Sequence, residues 1–519
     1  MKGSPPHLRI DIQRSSQTHP QTQMTSAPAN IAAYELTKRR GGQTTASRRI
    51  VALASALFCI ALLSIRTLST IRFGALTFTS GAEDASLFAI WKWVHGVPVY
   101  QDPFSPPFAQ SYFNFLFYSF YGLIAKLFTG ALHFPDIALP TITRLTTLGL
   151  VTIGIVVTYL SIKSVTGAAT GISHAALAVI AFTNPLVGYW AITARPDIGA
   201  TVLDLAGIWL VLRSEKRQDT PGALWAIPFF YAAWAFKQTH VAGLIGCILL
   251  FAIRGRWRQL TSMVAVSAVL IYLTLAIGGP TYRYAVIASQ LHMGVVPIYG
   301  MRMFFQAIVK APLLGVGLLL VSRKLVRERT FSPMCIFLLV SIGIAAATVI
   351  KVGASDNYFI ESSVLAAIVC LEGAAKSDIP VLTAGLAAQA FAVTLILLGV
   401  FGRVLPERLS ELASIKQVTG KQAGTCFVTE NSANLPWFQN RPPYFVLATT
   451  YFDDREAGRK FEYGGVAGMI KSGRIDTVIS ARQTLGKSFD GVDLRQFPIV
   501  DESDGWIVMS TAGPESRAK

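Results

Sequence analysis

The sequence predicts a mainly α-helical, polytopic membrane helix bundle of about eleven spans, with interfacial helices in its first outer loop and a small α/β domain at its C-terminal end. Three observations predict it. Hydrophobic residues fill 52% of the 519 positions and charged residues 14%, against about 25% charged in an ordinary soluble domain. The apolar residues gather into runs of roughly 13 to 22, and at about 1.5 Å per helical residue such runs approach or cover the roughly 30 Å of a hydrocarbon layer. The Lys and Arg residues behind a formal net charge of +17 fall in short clusters between those runs. Clusters so placed orient a chain in a membrane, which argues against nucleic acid as a partner.

Taken in order, residues 1–49 are rich in Gln, Ser, Thr and Pro and close on Lys38, Arg39, Arg40, Arg48 and Arg49. They hold too little apolar surface to offset the entropy of ordering them, and are expected to be a disordered, basic cytoplasmic tail, with Met24 as an alternative start. Residues 50–401 form the transmembrane domain. Its first span is 50–71, an uncleaved anchor because no small-residue cleavage site follows it, and Arg66 near the outer end can snorkel to the surface. Later runs are 142–162, 172–190, 198–212, 223–236, 241–253, 260–277, 303–321, 334–350, 359–371 and 381–401.

Run 112–128 could cross the membrane or lie along it. Laid flat on the outer face, it keeps Lys163 and the clusters around Arg213, Arg254 and Arg323 on the same side as the tail. As a span it would move the Arg213 cluster outside, so the flat helix is favoured, and its Phe and Tyr residues suit the headgroup region. Residues 402–519 are soluble in composition, with strand-like segments at 426–429, 444–447, 477–480 and 506–509 and a helical piece at 456–470. They predict a periplasmic α/β domain, and no nucleotide-binding glycine loop occurs in it. Cys59, Cys247, Cys335 and Cys370 lie in apolar runs and only Cys426 in a polar region, so no disulfide between soluble cysteines is available. No internal repeat is visible, which argues against an inverted-repeat carrier.

The candidate chemistry sits in the outer loops of this topology. Glu83 and Asp84 follow the first span, where a carboxylate could act as general base or simply be a solvated loop acid. Tyr100 and Asp102 lie in the turn after them, and Asp102 could set that turn through its own side chain. Arg195 and Asp197 flank Pro196 at a hairpin mouth, with Asp197 where an N-cap belongs and Arg195 able to pair with it. Lys237, Gln238 and His240 mark a bend between two short spans, and Arg283, Arg302 and Lys351 lie in other outer loops. Such cations could hold a lipid-linked phosphate through charge-assisted bonds, or contact lipid headgroups. Asn357, Tyr358 and Glu361 form a further polar knot. Asp204 and Lys310 are charges inside apolar runs and should face a cavity or a partner. No His or Cys pair stands at metal spacing, so no metal is expected.

The order of these features, from Glu83-Asp84 through Gly96-Val97-Pro98-Val99-Tyr100, Arg144, Arg195-Pro196-Asp197 and Lys237-Gln238 to Asn357-Tyr358, resembles the GT-C superfamily of integral-membrane glycosyltransferases that use polyprenyl-phosphate sugars. The resemblance is to the bacterial branch similar to protein mannosyltransferases, the lipid A aminoarabinose transferase and the rhizobial galacturonosyl transferases. It covers about residues 50–400, and the tail is similar to the periplasmic domain many members carry. The resemblance implies an inverting transfer in which Asp84, with Glu83 beside it, deprotonates the acceptor. Asp197 would orient a substrate, and Arg195, Lys237 and Arg283 would stabilise the leaving phosphate. Gln238, Tyr100, Asp102, Asn357 and Tyr358 would line the substrate site. The family's first-loop pair is commonly Asp-Glu, whereas this chain has Glu-Asp, so either acid could be the base. No metal or cofactor is implied. The implied partners are membrane lipid, a polyprenyl-phosphate-linked sugar and an envelope glycolipid, polysaccharide or protein acceptor, at a bacterial inner membrane.

Two other functions fit the composition. A lipid or polysaccharide transporter or flippase would relay protons through Asp204 and Glu361. A noncatalytic envelope-assembly subunit or polysaccharide polymerase would use the tail domain for docking. Neither the sugar nor the acceptor is legible, because shape and hydrogen bonding from distant residues set such specificity.

Overall fold

Proline and glycine set where the helices of this chain break. A computed structural model describes residues 27–72, 82–166, 171–219, 221–291, 293–328, 332–374, 379–429, 444–448, 450–485, 488–503 and 505–511. Met1–Arg49 and Ile50–Lys519 are two compact units. The first is helical from Ala27, the start of α1 (Ala27–Arg72), where an unstructured tail was expected; Ala, Leu, Glu, Lys and Arg over 32–40 are strong helix formers. Residues 1–26 lie outside the described residues.

The second unit continues with α2 (Ala82–Val94), α3 (Phe115–Lys126), α4 (Leu139–Thr166), α5 (Ile172–Thr183), α6 (Pro185–Trp190), α7 (Asp197–Arg217), α8 (Ile227–Phe236) and α9 (Ala242–Ile253). Then come α10 (Trp257–Arg283), α11 (Ser289–Leu291), α12 (Pro297–Lys310), α13 (Pro312–Arg323), α14 (Pro333–Val349), α15 (Ile360–Ala374) and α16 (Ile379–Gly420). Among the described residues three helices are long and apolar enough to cross a membrane, Ala46–Arg72, Asp136–Thr166 and Trp257–Leu291, and α12 with α13 would make a fourth if that bent pair is one span. The chain is therefore a multi-pass membrane protein.

Several runs expected to cross in one piece are interrupted. Run 172–190 splits at Asn184, whose extended backbone precedes Pro185 and whose side chain accepts the Leu186 and Val187 N–H groups at 3.0 and 3.1 Å, capping α6. Run 303–321 splits at Ala311, which the following Pro312 forces out of the helical region (φ −136°, ψ 74°), and the two halves meet at 102°. In α10 the break falls at Gly279, whose φ of 75° only glycine adopts readily, just before Pro280.

Tight approach among the helices relies on small residues. Gly207 on α7 and Gly243 on α9 both face the Phe230 ring, where an added Cβ would come within 2.4 and 2.5 Å of it. α3 packs against α8 and α4: Asn114, just before it, donates to the Trp234 carbonyl, the Phe120 ring packs on Phe236, and the Tyr121 hydroxyl meets Thr147 at 2.7 Å. Those partners are the last turn of α8 and the early turns of α4. That end, where α7 begins and α8 finishes, is the rim.

The tail differs from expectation in three places. α16 runs on past residue 401 to Gly420 before the first strand. The sheet has order β1-β2-β4-β3, from β1 (Cys426–Val428), β2 (Thr477–Ala481), β3 (Ile499–Ser503) and β4 (Trp506–Ser510); β1 and β2 are parallel and the other pairs antiparallel. Segment 444–447 is not one of its strands, because its backbone bonds go to the first loop: Val446 N–H to Pro107 O and Ala448 N–H to Phe108 O. The helical piece at 456–470 is two short helices, α17 (Tyr451–Glu456) and α18 (Gly465–Lys471), separated by left-handed glycines Gly458 and Gly464. Phe108 packs on Tyr451 and Phe461, so the tail and the first loop share one apolar core.

Candidate active site

The centre of the rim is Asp197, the first residue of α7. Pro196 ahead of it and the Thr193–Trp190 turn bring the chain out of α6 and leave the carboxylate at the helix N-terminus, where backbone N–H groups favour an anion. Three segments converge on it. Lys237, at the break between α8 and α9, donates to Oδ1 at 2.5 Å; Asn357, in the turn before α15, donates to the same oxygen at 2.6 Å. Arg195 Nε stands 3.4 Å from Oδ2, with its guanidinium 4.8 Å over the Trp190 ring. The Lys237 ammonium also lies 4.2 Å from the centre of the Tyr358 ring. Lys237 is sealed, whereas Arg195 keeps 12% of its side chain exposed.

Glu83 and Asp84 occupy the first turn of α2, and both are buried. Glu83 Oε1 accepts Arg144 Nε from α4 at 3.0 Å and the Ala194 N–H at 2.9 Å, with no side-chain exposure on either member of the ion pair. Glu83 thus holds α2, α4 and the turn before Arg195 together. Because Ala194 is the residue before Arg195, the first-loop acids, the Asp197 turn and the Lys237 bend share the rim.

Other expected site residues divide. Tyr358 and Asn357 join the Asp197 cluster. Gln238 turns back, donating to the Tyr112 carbonyl at 2.9 Å, and so ties the bend to the start of α3. Tyr100 does not line the cluster: its hydroxyl donates to the Phe113 carbonyl at 2.7 Å, its ring meets Tyr282 edge-on, and burial pushes its phenol well above the ordinary value. Asp102 is spent on its own turn, accepting the Phe104 N–H at 3.0 Å and the Ser105 hydroxyl at 3.4 Å. Arg283 is exposed at the end of α10 and joins none of these contacts among the described residues. A loop charge declares its position in the chain and not its direction, which is why Asp102 and Arg283 were grouped with the rest.

Sequence reasoning also left pairings unread. Arg144 was visible as the opening of a span, but not as the partner of Glu83. Lys310, read as a charge inside a span, ends α12 and bonds Asp356, which also accepts Trp190 Nε1 at 3.2 Å. Deeper, Asp204 accepts the Gly243 N–H at 2.8 Å, and His240 Nδ1 stands 3.3 Å from Glu361. An apolar groove of about 400 Å³ runs between α3 and the first half of α4, lined by Phe120, Ile124, Phe128, Ile142 and Leu145. No three His, Cys, Asp or Glu side chains converge in a metal-binding arrangement among the described residues.

No family model matches the chain, and no curated protein does either. Solved structures do. ArnT from Cupriavidus metallidurans bound to undecaprenyl phosphate matches with a TM-score of 0.57 at 12% identity, over 88% of this chain and 98% of that one. The same protein in its apo state matches at 0.54 and 12% identity, over 87% and 97%. The chain shares the fold of these two structures.

Proposed function

We propose that this chain is a membrane glycosyltransferase that moves a sugar from a polyprenyl phosphate to a cell-envelope acceptor, from the periplasmic face of a bacterial inner membrane. The observation that carries the reading is the rim itself. An acid pair in the first loop and an aspartate ringed by Lys237, Arg195 and Asn357 are drawn to one end of the bundle by bonds between distant segments. The GT-C fold, in a relative solved with undecaprenyl phosphate, supports it.

In this mechanism Asp84 takes the proton of an acceptor hydroxyl as its oxygen bonds to the anomeric carbon. The bond from that carbon to the lipid phosphate breaks on the opposite face, so the sugar centre inverts. The phosphate leaves with the electron pair and meets the Arg195 guanidinium. Lys237 and Asn357 fix the Asp197 carboxylate, which in turn orients Arg195. The groove between α3 and α4 suits an isoprenoid tail, since it is lined by aromatic and aliphatic side chains.

The test is Asp84→Asn in purified protein in lipid nanodiscs, with a defined polyprenyl-phosphate sugar and product detected by mass spectrometry. A general base contributes roughly 10²–10⁴-fold, so the variant should lose at least about a hundredfold in transfer with its size-exclusion profile unchanged. Full activity in that variant would remove the base. Transfer by the purified wild type would also exclude a transporter working through Asp204 and Glu361.

A further inference from the structure

Arg66 lies near the C-terminal end of α1, and the expectation that it snorkels to the surface does not hold. Its side chain is 2% exposed, and Nε, Nη1 and Nη2 are all buried without a hydrogen-bond partner among the described residues. Among the described residues it forms no ion pair with a carboxylate. Its guanidinium lies against the Tyr189 ring, whose centre is 5.7 Å from Cζ. A guanidinium brings five N–H donors, and burying it uncompensated is costly. Arg144 makes the contrast plain: equally buried, it is bonded to Glu83.

The position of this unmatched cation is not random. Tyr189 and Trp190 are neighbouring rings with centroids 5.0 Å apart, and the Trp190 ring carries the Arg195 guanidinium at 4.8 Å. Two guanidinium groups therefore lie against one pair of neighbouring rings, one beside Asp197 and the other without a hydrogen-bond partner among the described residues. Tyr189 is thus linked through Trp190 to Arg195 at the rim. Gly188, next to Tyr189, presents no side chain toward Nη1.

We propose that Arg66 is the binding residue of an oxyanion subsite at the rim, which takes a phosphoryl or carboxyl oxygen of a substrate. This deepens the glycosyltransferase reading and rests on it. The lipid phosphate and a carboxylate on the sugar are the two sources of such an anion. Arg66 meets either with two parallel N–H bonds, which a lysine cannot reproduce.

The experiment uses the full chain in lipid nanodiscs, as wild type, Arg66→Met and Arg66→Lys. Tryptophan fluorescence follows binding of undecaprenyl phosphate against neutral undecaprenol, and of glucuronate against its methyl ester. Arg66→Met should unfold at a higher temperature, because an uncompensated charge leaves the interior, and should lose at least tenfold in affinity for one anion while its neutral counterpart binds unchanged. Arg66→Lys should fall between. Loss confined to undecaprenyl phosphate identifies the lipid phosphate as the ligand; loss confined to glucuronate identifies a sugar carboxylate. Wild-type affinity of Arg66→Met for both anions, or a lower unfolding temperature in that variant, overturns the subsite. If instead the wild type prefers neither anion to its neutral counterpart, the glycosyltransferase reading falls with it.

Discussion

The two ion pairs at the rim use the same chemistry to opposite ends. Glu83 and Arg144 meet at 3.0 Å with both side chains fully enclosed, and the spare capacity of Glu83 Oε1 is taken by the Ala194 N–H. Nothing is left over to meet a ligand through that oxygen. Asp197 and Lys237 meet at 2.5 Å, yet the cluster continues outward through Arg195, which is still partly exposed and rests on a tryptophan face. The first pair is a strut joining α2 to α4; the second is the anchored edge of the proposed site. Burial and charge alone do not distinguish the two. The distinction lies in what adjoins each pair: Glu83 Oε1 is taken up by Arg144 and Ala194, whereas Asp197 adjoins Arg195, which keeps 12% of its side chain exposed.

The largest expected effect comes from breaking the strut. Glu83→Ala leaves Arg144 in the interior without its carboxylate, and removing one member of a buried pair costs about 3–5 kcal/mol. A fall in the unfolding temperature of the purified protein should therefore precede any change in its chemistry. Glu83→Ala with wild-type stability would erase the proposed difference between the pairs.

Next in size is Asn357→Ala. It removes one donor from the Asp197 carboxylate and leaves Lys237 in place, a loss of about 1.5–3 kcal/mol for a bond to a charged group. Because Asp197 orients Arg195, the deficit should be read mainly in transfer, as a drop of about tenfold or more in kcat/KM with a smaller change in unfolding temperature. A variant that loses stability and keeps its full kcat/KM would make Asp197 a second strut.

These two pairs also mark what could be read from residues alone. Arg195, Asp197, Lys237 and Asn357 stood out because polar groups are expensive among apolar runs and rarely lack a purpose. The pairing of Glu83 with a residue 61 positions away did not, since no local pattern specifies a long-range contact. The span count followed apolar length, and length overlooks Pro185 and Pro312, which break helices inside otherwise continuous runs. In the tail, β2 and β4 are fully buried and legible as apolar strands, while β3 is mostly exposed and carries Asp501 and Glu502, so it has no apolar signature.

A graded effect separates the strut's own helix from the solvent. Lys92, on α2, is buried with its ammonium donating to the Val99 carbonyl at 2.7 Å, and burial lowers its pKa to about 8. The unfolded chain, with an ordinary lysine near about 10.4, binds more protons across that interval, so stability should rise with pH through it. The penalty is present in full below about 8 and fades above it. Lys92→Met should flatten the difference curve between pH 8 and 10; a variant with the same slope as the wild type would mean that Lys92 is hydrated in solution.

The smallest effect tests the comparison from outside. Asp102 is an acid in the same loop as Glu83 and Asp84, but both its oxygens serve the turn they sit in: one accepts Phe104 N–H, the other Ser105 Oγ. If proximity in sequence to the acid pair mattered, Asp102→Ala would depress transfer. If what adjoins each acid decides its function, the change removes only an exposed local turn and should stay within about 0.5 kcal/mol in stability. Its kcat/KM should match the wild type. A tenfold fall in kcat/KM without a shift in unfolding temperature would bring Asp102 into the site and show that a carboxylate already bonded within its own turn can still be recruited by substrate.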